Sequence, residues 1–293
     1  MTAQARTSTG TPALAEGAPP AETVAEGAPP AETVAEGAPP AEPPVEGALP
    51  AEPPVEGARL AETVAWASRI LAMAGYEDLT LGHVSAREPG GRTIYIKRKG
   101  VALGEVVPED VIAVDLDGDF DRVPEGMHLE TVLHTEVYKR RPDVHSVVHG
   151  HPPFATAFGA TDAEFRYLTH DSVLFAGGIS TYDGVPDLIV NARQGADVAQ
   201  ALGIGTALLL RNHGVLVAER DVQWAVLASV LLERAVRMQA IAGTLGPLHP
   251  IPQELIPGIH AMKYQADFPG EYWDAWVREL RRSGRAFGMP GER

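Results

Sequence analysis

Apolar residues first recur at helical spacing near Ala58. Leu60, Val64, Ala67, Leu71 and Ala74 fall on one face, and Gly75 ends the run. Short strands are predicted at 82–87, 93–98 and 111–116. Leu129, Val132, Leu133 and Val137 predict a helix over 127–140, with Pro142 just beyond it. A strand at 146–151 follows, then a helix from Pro153, a strand at 188–191 and a helix at 195–202. Two apolar runs, 207–211 and 214–219, are hinged at Asn212-His213. The longest helical pattern, 222–243, is apolar on most faces, which predicts burial; 272–287 is amphipathic. Helices and strands interleave, and the turns between strands are short. The pattern predicts a mixed or antiparallel sheet with helices on its faces.

Before Ala58 the pattern changes. Glu-Gly recurs at 16, 26, 36, 46 and 56, a ten-residue period with the unit Ala-Glu-Gly-Ala-Pro-Pro-Ala-Glu-Thr-Val. Two prolines in ten residues leave no continuous helical or extended face, so a solenoid is a poor reading. The expectation is a disordered tail over 1–57 and one folded domain over 58–293. The final copy runs directly into the first helix, so the tail reads as a duplication of that helix's start.

The net charge is −15, and residues 1–57, with nine Glu and one Arg, carry −8 of it. The remaining −7 makes the body acidic too, which argues against nucleic acid or anionic membranes as partners. No apolar stretch approaches the ~20 residues of a membrane span. The first ten residues lack an apolar h-region, so the expected location is the cytoplasm. Cysteine is absent, which removes disulfides, thiol nucleophiles and Cys-held zinc together.

Any metal must then be held by nitrogen and oxygen. His149 and His151 are one residue apart at the end of a strand-like run, so both face the same way. Such a pair can hold one divalent ion at about 2.0–2.1 Å from each ring. His213 ends another apolar run, and Glu130 lies on the predicted helix before His149. Three His and a carboxylate with open positions suit a catalytic site binding one Zn, Mn, Fe or Co per chain. Glu130 sits at the edge of the buried stripe made by Leu129 and Leu133, where partial desolvation is expected to raise its pKa. It shares a helix face with His134.

Four segments together resemble the class II aldolase/adducin family. They are Gly82-His83-Val84-Ser85-Ala86-Arg87; Glu130, His134 and Tyr138 with Arg141-Pro142-Asp143-Val144; Val147-Val148-His149-Gly150-His151; and Leu210-Arg211-Asn212-His213-Gly214. The resemblance spans about 58–280. It implies a three-layer α/β/α fold around a mainly antiparallel sheet. It also implies a homo-oligomer, often a tetramer, with sites shared between subunits. By resemblance, His149, His151 and His213 are the metal ligands and Glu130 is the acid/base.

Where the family's sugar-phosphate aldolases carry small neutral phosphate donors, this chain carries His83, Lys97-Arg98-Lys99-Gly100 and His128. Longer, cationic side chains suit planar carboxylates. The pattern is similar to the family's aromatic decarboxylase branch, which acts on hydroxylated aromatic dicarboxylates such as dihydroxyphthalates and a hydroxy-methylpyridine dicarboxylate. The resemblance thus implies a lyase of aromatic catabolism that removes a carboxylate ortho to a hydroxyl, with a metal-held oxygen as electron sink. The substrate contacts it suggests are His83, Ser85, Arg87, Arg98, Lys99 and Gly100. Glu130, His128 and His170 are the candidate proton donors. The alternative is an aldolase or epimerase for a phosphorylated sugar; a non-catalytic, adducin-like interaction protein is the third reading.

Overall fold

A computed structural model describes residues 55–88, 90–118, 125–184 and 187–292. The tail predicted over 1–57 falls outside these residues up to position 54. At Val55 helix α1 (Val55–Leu71) already begins, inside the stretch that the repeat pattern gave to the tail. Gly57 is the reason the chain can pack so early: a Cβ there would collide with the Tyr95 ring. Gly75, at φ 94°, breaks the helical path as predicted, inside a wide turn over Ala72–Tyr76.

Seven strands form one sheet: β1 (His83–Arg87), β2 (Thr93–Lys97), β3 (Val111–Asp115), β4 (Ser146–Gly150), β5 (Ser180–Tyr182), β6 (Ala207–Leu210) and β7 (Gly214–Glu219). Their spatial order is β3-β2-β1-β4-β7-β6-β5. Every pairing is antiparallel except β5 with β6. Side chains alternate between two cores. Val148, Leu209, Val215 and Val217 face helices α1 and α5 (Val222–Leu245). Val147, Leu208, Leu210 and Leu216 face α2 (Thr131–Arg140) and α4 (Ala192–Leu202). The fold is the three-layer α/β/α sandwich that the sequence implied.

Three predicted elements need correction. The stretch 188–191 is an irregular segment leading into α4, not a strand. The edge strand is β5, whose three residues are too few to show a period. The second helix starts at Thr131, not Met127, because Met127–Glu130 form a turn. Leu129 therefore lies outside the buried stripe and is 43% exposed. Finally, α6 (Ile256–Lys263) was not predicted, and α7 (Phe268–Arg282) begins four residues before the expected amphipathic stretch.

Candidate active site

Four chain segments meet where β1 starts and β4 ends. The antiparallel register sets His83 directly opposite His149. Beyond Gly150, His151 continues the line of β4. His213 arrives through the tight connection from β6 to β7, where Asn212 adopts φ 58° and His213 N–H donates to Leu210 O at 3.0 Å. Gly214 must be glycine, since a Cβ there would lie 2.5 Å from the His151 ring and 2.6 Å from Gly150 O. The ring centroids of His149, His151 and His213 stand 4.9–5.4 Å apart. One ligand nitrogen from each lies within 4.8 Å of the others.

The outer nitrogens of two of these rings are taken. His149 Nδ1 donates to Val215 O at 3.0 Å, and His151 Nδ1 faces Asp78 Oδ2 at 3.1 Å. Their Nε2 atoms are left for the centre. His149 Nε2 is buried and has no hydrogen-bond partner among the described residues. A buried nitrogen lone pair without a partner, beside two further imidazoles, fits a divalent cation. Asp78 had no sequence signal, because its place in an irregular loop follows no period.

Glu130 stands at the end of the turn before α2 and completes the set. Its Oε2 lies 3.5 Å from His149 Nε2 and its Oε1 3.4 Å from His213 Nε2. Oε1 also accepts the Ile189 N–H at 3.0 Å. Burial pushes this carboxyl up, but the facing His149 and His213 outweigh it and hold it below the usual carboxylate range. The expected upward shift is thus overturned: it considered desolvation without the two facing histidines.

A cavity of about 210 Å³ opens against this cluster, lined by Leu81, His83, Lys99, His128, Leu129, Glu130, His151 and Leu188 among others. A larger cleft of about 440 Å³, lined by Arg59 and Arg220, has no such convergence of donors. His128 is buried, its ring is 4.5 Å from that of His83, and its Nε2 has no hydrogen-bond partner among the described residues. Burial pulls its pKa down to about 4, with Lys97 acting in the same direction. Lys97 itself is fully buried, with Nζ donating to Thr80 O and Val101 O, and burial pulls it down to about 8.

Of the predicted substrate contacts, His83 and Lys99 line the cavity. Ser85 and Arg87 do not. They follow His83 at two-residue steps, so they share its face but run away from the site. Ser85 Oγ is buried between His134 and Tyr138, and Arg87 spends its guanidinium on the carbonyls of Tyr138, Arg141, Pro142 and Val144. Arg98 turns to Asp110, at 2.7 Å. Gly100 is exposed at φ 87° and serves the turn after β2. His170 is exposed and absent from the cavity lining; its carbonyl accepts from the Tyr264 hydroxyl.

Residues 62–240 match the Class II Aldolase and Adducin N-terminal domain. The chain belongs to this family. It is 30% identical to 3,4-dihydroxyphthalate decarboxylase of Arthrobacter keyseri over 243 residues, which cover 76% of this chain and 94% of that one. It is 27% identical to an L-fuculose phosphate aldolase of Methanococcus maripaludis, over 56% of this chain and 87% of that one. Among solved structures, an aldolase II superfamily protein from Pseudomonas syringae superimposes with TM-score 0.69 at 26% identity, covering 79% and 96% of the two chains. The family's aldolases and decarboxylases are lyases, and its class II aldolases depend on a divalent metal. No helix among the described residues is long and apolar enough to cross a membrane.

Proposed function

We propose that this chain is a metal-dependent carboxy-lyase that removes a carboxylate ortho to a hydroxyl on an aromatic dicarboxylate of the dihydroxyphthalate type. The observation that carries this reading is the make-up of the cavity wall. Leu81, Leu129 and Leu188 offer apolar surface to a ring, while His83, His128 and Lys99 offer nitrogen donors to its carboxylates. The similarity to a dihydroxyphthalate decarboxylase over nearly that protein's whole length supports it.

His149, His151 and His213 would hold the metal. When bound, a divalent ion supplies a Lewis acid that stabilises negative charge on the substrate's oxygens. The rest falls to the side chains. His83 and Lys99 orient the carboxylates. Glu130, kept as a carboxylate, accepts the proton of the ortho hydroxyl. The bond to the departing carboxylate breaks, its electron pair stays with the ring, and carbon dioxide leaves. The vacated ring carbon takes a proton from Glu130, and the ortho oxygen regains one from solvent. His128, neutral near pH 7, stands beside this path as a second proton carrier.

Exposed Leu81, Leu129 and Leu188 at the cavity mouth suit coverage by a neighbouring subunit, and a homotetramer with shared sites belongs to this proposal. Zinc, manganese, iron and cobalt all match the donor set. The deciding experiment incubates full-length protein, loaded with each metal in turn, with 3,4-dihydroxyphthalate and with L-fuculose 1-phosphate. Carbon dioxide release from the first is expected. Cleavage of the second without carbon dioxide from the first would replace this reading with an aldolase. Light scattering of the same sample checks the tetramer.

A further inference from the structure

Behind His83 runs a buried hydrogen-bonded chain. His83 Nδ1 and His134 Nε2 are 2.6 Å apart, His134 Nδ1 and Ser85 Oγ 2.7 Å, and Ser85 Oγ and Tyr138 Oη 2.7 Å. All four residues are buried, none more than 2% exposed. Each link can be made in either direction, but the links are not independent. A neutral imidazole has one donor and one acceptor nitrogen. A direction set at one nitrogen is thus carried through each ring. At Ser85, whose Oγ can accept twice, it is carried because Tyr138 and His134 are the partners of Oγ among the described residues and its own proton must go to one of them.

The Tyr138 end settles the direction. Among the described residues, Ser85 Oγ is the acceptor within reach of the Tyr138 hydroxyl. The other group at this oxygen, the Val147 backbone, acts in the sense that favours phenolate, as an N–H donor does. If Ser85 donated to Tyr138, the phenol proton would be buried with no acceptor, at the desolvation cost of that group. If Tyr138 donates to Ser85, every proton is used. Ser85 then donates to His134 Nδ1, and His134 Nε2–H donates to His83 Nδ1. His83 must carry its own proton on Nε2, the nitrogen left for the cavity.

We propose that Tyr138, Ser85 and His134 are positioning residues that lock His83 as the Nε2–H tautomer, so that His83 donates a hydrogen bond to an anionic substrate oxygen and does not ligate metal. This separates two groupings that distance alone leaves equivalent. His83, Glu130 and His149 lie as close together as His149, His151 and His213 do. A protonated Nε2 has no lone pair for a cation, so the second set holds the metal. The substrate part of the inference rests on the carboxylate-binding reading of the cavity; the tautomer does not.

The test is nitrogen NMR of the full-length, zinc-loaded protein without substrate, with the His83 signals identified by their loss in His83→Gln. Nε2 is expected to be pyrrole-like and Nδ1 pyridine-like. In Tyr138→Phe and, separately, Ser85→Ala, the bias is lost. Both His83 nitrogens should then move toward a tautomer average while zinc content stays at the parent level. KM for 3,4-dihydroxyphthalate should rise about tenfold, the size of one charge-assisted hydrogen bond. A bare or zinc-shifted Nε2 in the parent overturns the proposal, as do parent-like His83 signals in both variants. If the parent protein fails to turn over 3,4-dihydroxyphthalate, the decarboxylase reading falls, while the spectrum still decides the tautomer.

Discussion

At the scale of single residues, the centre depends on which nitrogen of each ring is free. Replacing His149, His151 or His213 by Ala should each abolish stoichiometric metal, measured by elemental analysis after dialysis. Full occupancy in all three variants would place the site elsewhere. Glu130→Gln keeps shape and removes the shuttled proton. Turnover should fall by roughly 10²–10⁴ with metal retained, since that is the usual weight of general acid–base catalysis. The clustering of His149, His151, His213 and Glu130 was legible because residues at strand ends follow a period of two and a recognisable order of motifs. Ser85, Arg87 and Arg98 lie off the cavity for a related reason. Sharing a strand face or a loop with a site residue fixes direction, but how far a side chain lies from the centre depends on neighbours such as Tyr138 and Asp110 that sequence does not bring near.

Elements hold these side chains through backbone contacts at their ends. Helix α3 (Pro153–Gly159) starts two residues after His151, and buried Glu233 of α5 accepts its first free N–H groups, from Phe154 at 3.0 Å and Ala155 at 2.8 Å. Glu233→Ala leaves both donors buried and should cost about 2–3 kcal/mol in chemical denaturation. Gly214→Ala forces apart the β6–β7 connection and His151, for which overpacking costs about 1–3 kcal/mol. A titration should show weaker metal binding with little change in secondary structure. Long helices and central strands were readable from periodicity alone. The start of α2 was not, because Leu129 fits a helical stripe in sequence yet sits in a turn at the cavity mouth.

For the whole molecule, the cluster of buried histidines makes the metal-free protein acid-sensitive. Burial pulls His128 and His151 down to about 4, and His83 and His134 well below the ordinary value of 6.5. The unfolded chain therefore takes up protons first as pH falls. Stability is fully present above about pH 6.5 and is lost progressively toward pH 4, with His128 alone contributing on the order of 3 kcal/mol. Urea midpoints of metal-free protein at several pH values check this; a flat profile would contradict it. The repeat of 1–50, by its composition, is expected to be dispensable, so a chain starting at Ala51 should keep the parent melting temperature.

One division of labour within the fold bears on how such proteins diversify. His149, His151 and His213 are set by strand register and the β6–β7 connection, whereas Leu81, Lys99, Leu129 and Leu188 reach the cavity from loops and turns. Under the proposed function, the ion and the apolar face of the substrate would therefore be held by different parts of the fold. A chimera carrying another member's residues at 97–100 and 187–190 should keep its metal and trade its substrate.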